Sequence, residues 1–368
     1  MRVIVTGGGT GGHIYPALAI AKGILARKPD CEILYVGIRD GMEARLVPES
    51  GLEFEGISGQ GLPRSLSLET IKVAGKSLKA LWETKQILKR FKPDLVVGTG
   101  GYVSGPVVLT AALFGIPTLL HEQNALPGIT NKILSSFVRK VLVTFPESMD
   151  RFRNKGKVIL TGLPVRPEVG KIVREEGAKE FGLDPKKLTI LVAGGSRGAL
   201  SINKSMATVL KYLEKNPQIQ LLWATGSATH KETITALENQ GIKWERENWK
   251  IKEYIKDMPK AYACSDLFVG RAGATTLAEI MVAGKPGILI PYPYAAENHQ
   301  EYNARALEKG GAAKVVLDGE LDGDKLWALI EETSNPQQLN KMARKAKELG
   351  QPDALEKIIQ TCFEIAWN

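Results

Sequence analysis

Two stretches of this chain repeat one order of features, and the repeat limits the fold more than any other property of the sequence. Asp94-Leu95-Val96-Val97 runs into Gly98-Thr99-Gly100-Gly101, a helical pattern follows, and Gly115-Ile116-Pro117 leads to another apolar run. Asp266-Leu267-Phe268-Val269 runs into Gly270-Arg271-Ala272-Gly273, again with a helical pattern, and Gly284-Lys285-Pro286 leads to the next apolar run. From Asp to Pro the distance is 23 residues in the first copy and 20 in the second. A second pair stands in the same order: Gly7-Gly8-Gly9-Thr10-Gly11-Gly12 after the run 3–6, and Gly194-Gly195-Ser196-Arg197-Gly198-Ala199 after 190–193. Short apolar runs continue at 33–36, 118–120, 141–144, 158–160, 221–224 and 287–291, with helical segments between them. That alternation is the pattern of parallel strands covered by helices, and its duplication predicts an α/β chain with two doubly wound, Rossmann-like halves.

A chain of 368 residues also exceeds one comfortable core and suits two domains. The boundary is expected in Thr161-Gly162-Leu163-Pro164-Val165-Arg166-Pro167, where prolines interrupt the pattern. Past Asp318 the pattern is helical, through 324–332, 337–349 and 354–367. The last segment carries Leu355, Ile358, Ile359, Phe363, Ile365 and Ala366 as a stripe that must be buried, and the N-terminal half is a candidate partner.

The net charge of +9, from 49 Lys+Arg against 40 Asp+Glu, fits an anionic partner without choosing among nucleic acid, an anionic membrane and phosphorylated substrates. Nucleic-acid binding lacks the support of interleaved aromatic and basic residues. Cys31, Cys264 and Cys362 form no CxxC, and no HExxH or other metal-ligand spacing occurs, so no metal or cofactor is expected. Cysteines so used fit a reducing compartment. Residues 2–6 already read as a strand, which argues against a signal peptide. The longest apolar stretch, 107–120, contains Gly115 and Pro117 and falls short of the ~20 residues of a membrane span.

Candidate site residues cluster after the predicted strands. In 267–279 an apolar run passes through two glycines into a helical pattern, the arrangement that offers unpaired N–H groups and a positive dipole end to an anion. Glu279 lies one turn in, where its charge would repel phosphate but could accept two hydrogen bonds from a ribose diol. An ordinary βα turn with a solvated Glu would read the same way. His13 follows the first glycine loop, where a neutral imidazole can take a proton from a hydroxyl or merely order the loop. As a dinucleotide fingerprint that loop is loosely spaced, so NAD is a minority reading. His121-Glu122-Gln123-Asn124 follows one strand and Glu297-Asn298-His299-Gln300 follows the corresponding strand of the second half. Such side chains suit a polyhydroxyl ligand, or a polar cleft. Ser196 could add a hydroxyl to a phosphate site, and Arg166 a countercharge. The segment 70–92 reads as a cationic helix with Ile71, Ala74, Leu78, Leu81 and Leu88 as its apolar stripe. Lys72, Lys76, Lys79 and Arg90 lie opposite, and an apolar and basic loop at 62–68 precedes it. An anionic bilayer or plain solvent would suit that face.

The motifs TGGGTGGH, GTGGYVSGP, HEQN, TGLPVR, GGSRGA and GRAGATTLAE, in this order, resemble the MurG family of GT-B glycosyltransferases. The resemblance runs from the first strand to the last helices. It implies two Rossmann-like domains facing each other across a cleft. Residues 1–162 would take the lipid-linked acceptor and face the membrane, completed by the helix 354–368, and residues 163–353 would bind UDP-GlcNAc. It implies inverting, metal-independent transfer of N-acetylglucosamine from UDP-GlcNAc to the C4 hydroxyl of the muramyl sugar of lipid I, giving lipid II for peptidoglycan. It places the enzyme peripherally on the cytoplasmic face of an anionic membrane, beside other cell-wall enzymes. Carried over by position, Ser196, Thr275 and Thr276 would bind the diphosphate, Glu279 the ribose, and Ile255 the uracil through its backbone with Met258 alongside. Arg166 would approach the nucleotide, Asn124, Ala274 and Gln300 would hold GlcNAc hydroxyls, and Thr10, Gly11 and Gly12 would close on the donor. His13 is the candidate base, with Asp40 and Glu122 as rivals. A UDP-GlcNAc 2-epimerase, a basic nucleic-acid-binding protein and a non-catalytic nucleotide-sugar sensor are the alternatives.

Overall fold

The computed structural model describes residues 1–59 and 68–367, with side chains throughout except at 68–77. The chain divides into two compact units, Met1–Pro164 together with the segment from Pro352 onward, and Val165–Gln351.

Among the described residues the first unit holds seven parallel strands: β1 (Arg2–Thr6), β2 (Glu32–Ile38), β3 (Glu53–Ile57), β4 (Leu95–Gly98), β5 (Thr118–Glu122), β6 (Lys140–Val143) and β7 (Val158–Leu160). Their order is β3-β2-β1-β4-β5-β6-β7. The second unit holds β8 (Leu188–Ala193), β9 (Ile219–Ala224), β10 (Trp249–Lys252), β11 (Leu267–Gly270), β12 (Gly287–Leu289) and β13 (Ala313–Val315), in the order β10-β9-β8-β11-β12-β13. All pairings are parallel. In each unit the order reverses once, between β1 and β4 and between β8 and β11. Those are the switch points outside which open α/β sheets bind ligands.

Each sheet is covered because its strands are apolar on both faces. One face of the first sheet packs Val3, Val5 and Tyr35 against Ile14, Ala17, Ile20 and Ile24 of the helix Gly11–Arg27. Ile358, Ile359, Cys362 and Phe363 of the helix Ala354–Trp367 join the same cluster. The stripe of the last helix therefore lies in the first unit's core, and Gly23 leaves room for it: a Cβ there would come within 2.3 Å of Ile359 Cδ1. The opposite face meets Val107, Val108 and Ala111 of the helix Ser104–Leu113 and Ile87 and Leu88 of the helix Leu68–Phe91. In the second unit, Ile202, Met206 and Leu210 of the helix Leu200–Leu213 fill the corresponding core.

Three strands, β3, β10 and β13, are absent from the apolar runs of the sequence. All three are sheet edges with mostly half-exposed residues, and an edge strand needs less apolar patterning than a central one. The helix Leu68–Phe91 also differs from its sequence reading. Among its described side chains Ala80, Thr84, Ile87 and Leu88 are buried, Leu88 as the sequence reading has it, whereas Leu78 is 69% and Trp82 is 62% exposed. The buried set follows the 3- and 4-residue helical spacing, and Leu78 with Trp82 occupies another line of the same helix. The loop residues 62–67 lie outside the described residues, as do the side chains of Leu68, Ile71, Lys72, Ala74 and Lys76.

Candidate active site

The helices that start after the glycine loops, at Gly11, Ser104, Leu200 and Ala274, have neither a side-chain cap nor an acidic residue in the first turn. Those starting at Met258, Gly323 and Pro336 are capped by Asp257, Asp322 and Asn335. A helix start leaves its first N–H groups without an intrahelical partner. A start with neither cap nor acid is suited to an anion, a feature that the short helix Ile129–Leu134 shares.

In the first unit, the loops after β1 and β4 interlock. Thr99 Oγ1 donates to the carbonyls of Thr6 (3.3 Å) and His13 (2.8 Å), Ser104 Oγ to those of Thr6 (3.3 Å) and Gly100 (2.8 Å), and Gly8 N to Gly100 O (3.3 Å). Gly101 has φ of +79°, and a Cβ there would lie 2.3 Å from Gly8 O, so only glycine lets the loops approach this closely. Thr10 is the N-cap residue of the helix that begins with Gly11 and Gly12. His13 follows, and its Nδ1 lies 3.1 Å from Gly8 O. A carbonyl can only accept, so Nδ1 carries the proton and the basic lone pair falls on Nε2, which lies against Gly100. Asp40 is exposed in the turn after β2.

Glu122 ends β5 and is buried. One carboxylate oxygen accepts from Asn124 N (2.9 Å) and Nδ2 (3.3 Å), the other from Gly128 N (3.1 Å) and Asn131 Nδ2 (2.8 Å). Burial pushes its pKa up, and these four donors partly offset that. The carboxylate thus shapes the loop that carries Asn124. His121 is fully buried, with Nε2–H donating to Gly162 O (2.8 Å) and Nδ1 accepting from Gln123 Nε2 (3.1 Å). Burial lowers its pKa to about 4, against a smaller upward effect of the Gly162 bond. The two rival carboxyl groups therefore sit differently, Asp40 in the open and Glu122 fully engaged.

In the second unit, Ser196 occupies the exposed tip of the loop after β8. That loop is held by Ser227 N and Ala228 N, which donate to the carbonyls of Ser196 (3.0 Å) and Arg197 (3.1 Å). Ala274, Thr275 and Thr276 form the half-buried first turn of the helix Ala274–Val282 after β11. Glu279, 2% exposed, receives Arg166 Nε and Nη2 at 2.6 Å each and Tyr262 OH at 3.0 Å. Burial opposes the Arg166 charge, yet the Glu279 carboxylate raises its pKa on balance. Gln300 Oε1 accepts from Ala272 N (3.2 Å) and Tyr292 N (3.0 Å), tying the loops after β11 and β12 together. Ile255 is buried between β10 and the helix Met258–Cys264, which Met258 opens.

The structure thus joins Arg166 to Glu279, and Glu122 to Asn124. The residues that sequence reasoning missed are Glu43, buried under the first glycine loop, and Tyr262, on the Glu279 carboxylate. A Glu at a helix start and a Tyr within a helix carry no signal of their own. The glycines Gly37 and Gly41 near Glu43 were the available hint. Among the described residues no cluster of His, Cys, Asp and Glu could hold a metal ion.

Comparison with known proteins gives a family on both units. Residues 3–143 match the glycosyltransferase family 28 N-terminal domain and residues 189–358 the family 28 C-terminal domain. A relative from Desulfitobacterium hafniense (strain DSM 10664 / DCB-2) is described as a UDP-N-acetylglucosamine--N-acetylmuramyl-(pentapeptide) pyrophosphoryl-undecaprenol N-acetylglucosamine transferase. It is 73% identical over 369 residues, covering 100% of both chains. A protein of the same description from Desulforamulus reducens is 50% identical over 366 residues, covering 99% of this chain and 98% of its own. The crystal structure of Acinetobacter baumannii MurG superposes with a TM-score of 0.80 at 32% identity, covering 99% of each chain. A UDP-GlcNAc 2-epimerase from Neisseria meningitidis bound to UDP-GlcNAc reaches 0.68 at 16% identity over 99% of this chain and 100% of its own, a likeness of fold alone.

Proposed function

This chain belongs to the MurG family within glycosyltransferase family 28, and on that premise we propose how its residues divide the reaction and where it works. The enzyme transfers N-acetylglucosamine from UDP-GlcNAc to the undecaprenyl-pyrophosphoryl N-acetylmuramyl-pentapeptide lipid I, forming lipid II for peptidoglycan. In our reading the muramyl C4 hydroxyl attacks the anomeric carbon opposite the departing UDP, so the linkage inverts to β in one displacement. The second unit binds the donor and the first unit, with its returning C-terminal helix, binds the acceptor.

The observation that carries the donor assignment is the uncapped helix start at Ala274–Thr276 beside a buried Glu279. Its N–H groups and the Thr275 and Thr276 hydroxyls would take the diphosphate, with Ser196 from the neighbouring loop. Preorganised donors of this kind stabilise a departing diphosphate without a metal. Glu279 would meet the ribose, sharing its carboxylate with Arg166. Ile255 and Met258 would line the uracil site, and Ala274, Gln300 and Asn124 the sugar, with Thr10, Gly11 and Gly12 on the donor. His13 would be the base, because its Nδ1–H bond to Gly8 O leaves the basic lone pair on Nε2.

Among the described residues no helix is long and apolar enough to cross a membrane. Leu78 and Trp82 stand exposed one turn apart, with the exposed Lys79, Lys85 and Lys89 on the same helix. That exposed apolar and basic face supports peripheral attachment to an anionic membrane; in our reading the enzyme works on its cytoplasmic face, near other cell-wall enzymes.

The test is transfer from radiolabelled UDP-GlcNAc to a short-chain lipid I analogue, with and without a chelator. We expect a disaccharide product in both conditions and no product when the acceptor is omitted. Turnover abolished by the chelator would overturn the metal-independent mechanism. Conversion of UDP-GlcNAc without acceptor would point to an epimerase instead.

A further inference from the structure

We propose that Glu43 is a positioning residue for the transfer reaction, acting on His13 through the single peptide group between Gly8 and Gly9. The inference rests on the reading of His13 as the base. Glu43 opens the helix Glu43–Glu49 just after β2 and is 0% exposed. Its Oε1 accepts from Ile38 N at 3.0 Å and its Oε2 from Gly9 N at 3.3 Å. The carbonyl of that same Gly8–Gly9 peptide accepts from His13 Nδ1 at 3.1 Å. One rigid plane therefore carries a carboxylate on its N–H and an imidazole on its C=O. Turning the plane away from Glu43 turns the carbonyl away from His13.

Several glycines are cleared around this carboxylate. A Cβ on Gly8 would lie 2.2 Å from Glu43 Oε1, and one on Gly41 within 2.6–2.7 Å of its carboxyl carbon and both oxygens. A Cβ on Gly37 would lie 2.5 Å from its Cγ. Gly9 holds φ of +82°, which only glycine adopts without strain, so the plane is set from the backbone as well. In carboxylate–histidine pairs the acid fixes the tautomer and orientation of the ring by direct contact. Here the peptide stands between them. An N–H held by a carboxylate polarises its own carbonyl, which strengthens the bond that keeps the proton on Nδ1 and the lone pair on Nε2.

Glu43→Gln keeps the shape and replaces one acceptor oxygen by an NH2, leaving either Gly9 N–H or Ile38 N–H facing a donor. The experiment is a double-mutant cycle of Glu43→Gln with His13→Ala, reading kcat and the KM for UDP-GlcNAc with a lipid I analogue. Glu43→Gln should lower kcat about tenfold, the scale of one lost buried hydrogen bond, with donor KM essentially unchanged. In the His13→Ala background the same change should cost almost nothing. An equal loss in both backgrounds, or normal turnover of Glu43→Gln while His13→Ala is impaired, overturns the positioning role alone. Normal turnover of His13→Ala removes the base assignment on which it rests. If Glu43→Gln fails to fold, Gly41→Ala takes its place in the cycle. Gly41 has no positive φ, so alanine there only crowds the carboxylate, and the same coupling with His13→Ala is expected.

Discussion

Glu279 is a buried carboxylate whose neighbours decide how it would meet the proposed nucleotide. It already accepts from Arg166 Nε and Nη2 and from the Tyr262 hydroxyl. Burial, then the nearby Glu279 charge, keeps Tyr262 far above its usual pKa, so it stays a donor. In the proposed donor site a ribose diol would share the carboxylate with Arg166 rather than meet a bare acid. Charge-assisted hydrogen bonds contribute about 1.5–3 kcal/mol. Glu279→Ala should weaken UDP binding by roughly ten- to a hundredfold on that basis, measured by titration calorimetry, and an unchanged Kd removes Glu279 from the donor site. His121 makes a pH prediction. Its folded pKa is lowered to about 4 by burial, whereas an unfolded histidine titrates near 6.5. Below that value the unfolded chain binds the proton first, so the stability present at neutral pH is lost progressively between roughly pH 6.5 and 4. The loss amounts to about 3 kcal/mol. His121→Gln should lack this part of the acid sensitivity. The check is the pH dependence of Tm for both proteins, and parallel curves would contradict the assignment.

At the scale of elements, the C-terminal helix is the clearest case of a segment that completes a unit distant in sequence. Ile358 and Cys362 are fully buried against the helix Gly11–Arg27. Ile358→Ala should destabilise the first unit by about 2–5 kcal/mol, read by urea unfolding, while UDP affinity stays unchanged. A negligible loss would mean the helix is not part of that core. This burial was legible in advance because Leu355, Ile358, Ile359 and Phe363 form a stripe that water cannot satisfy. Central strands were equally legible, since a strand covered on both faces has to be an apolar run. The edges β3, β10 and β13 were not, because one side of each has no strand to pair with. The helix Leu68–Phe91 misled for another reason. Apolar residues lie on more than one of its lines, and periodicity, which placed Leu88 correctly, cannot alone say that Ala80, Thr84 and Ile87 face the sheet while Leu78 faces out. The same contrast runs through the site. Glycine loops announce themselves because close backbone approach demands glycine, as at Gly101. Glu43 and Tyr262 acquire their roles only when the fold brings Gly9 and Glu279 to them.

For the molecule as a whole, an excess of nine positive charges favours anionic surfaces without specifying one, and in the proposed membrane contact the exposed Leu78 and Trp82 would supply what charge lacks. Each Lys or Arg near an anionic bilayer contributes about 1 kcal/mol, and salt screens that contribution within a Debye length. A buried apolar side chain contributes comparably and is indifferent to salt. The two contributions are therefore separable by ionic strength. Binding to vesicles rich in anionic lipid should fall several-fold between roughly 50 and 500 mM salt and leave a residue that persists. Leu78→Glu with Trp82→Glu should abolish that residue while leaving transfer to a soluble acceptor analogue intact. Lys79→Glu with Lys89→Glu should instead remove the salt-dependent part. Co-sedimentation across the salt series decides the matter. Equal binding of the wild-type enzyme to neutral and anionic vesicles at every salt concentration would exclude electrostatic docking, and unchanged binding of the Leu78 and Trp82 double variant would move the contact to another surface.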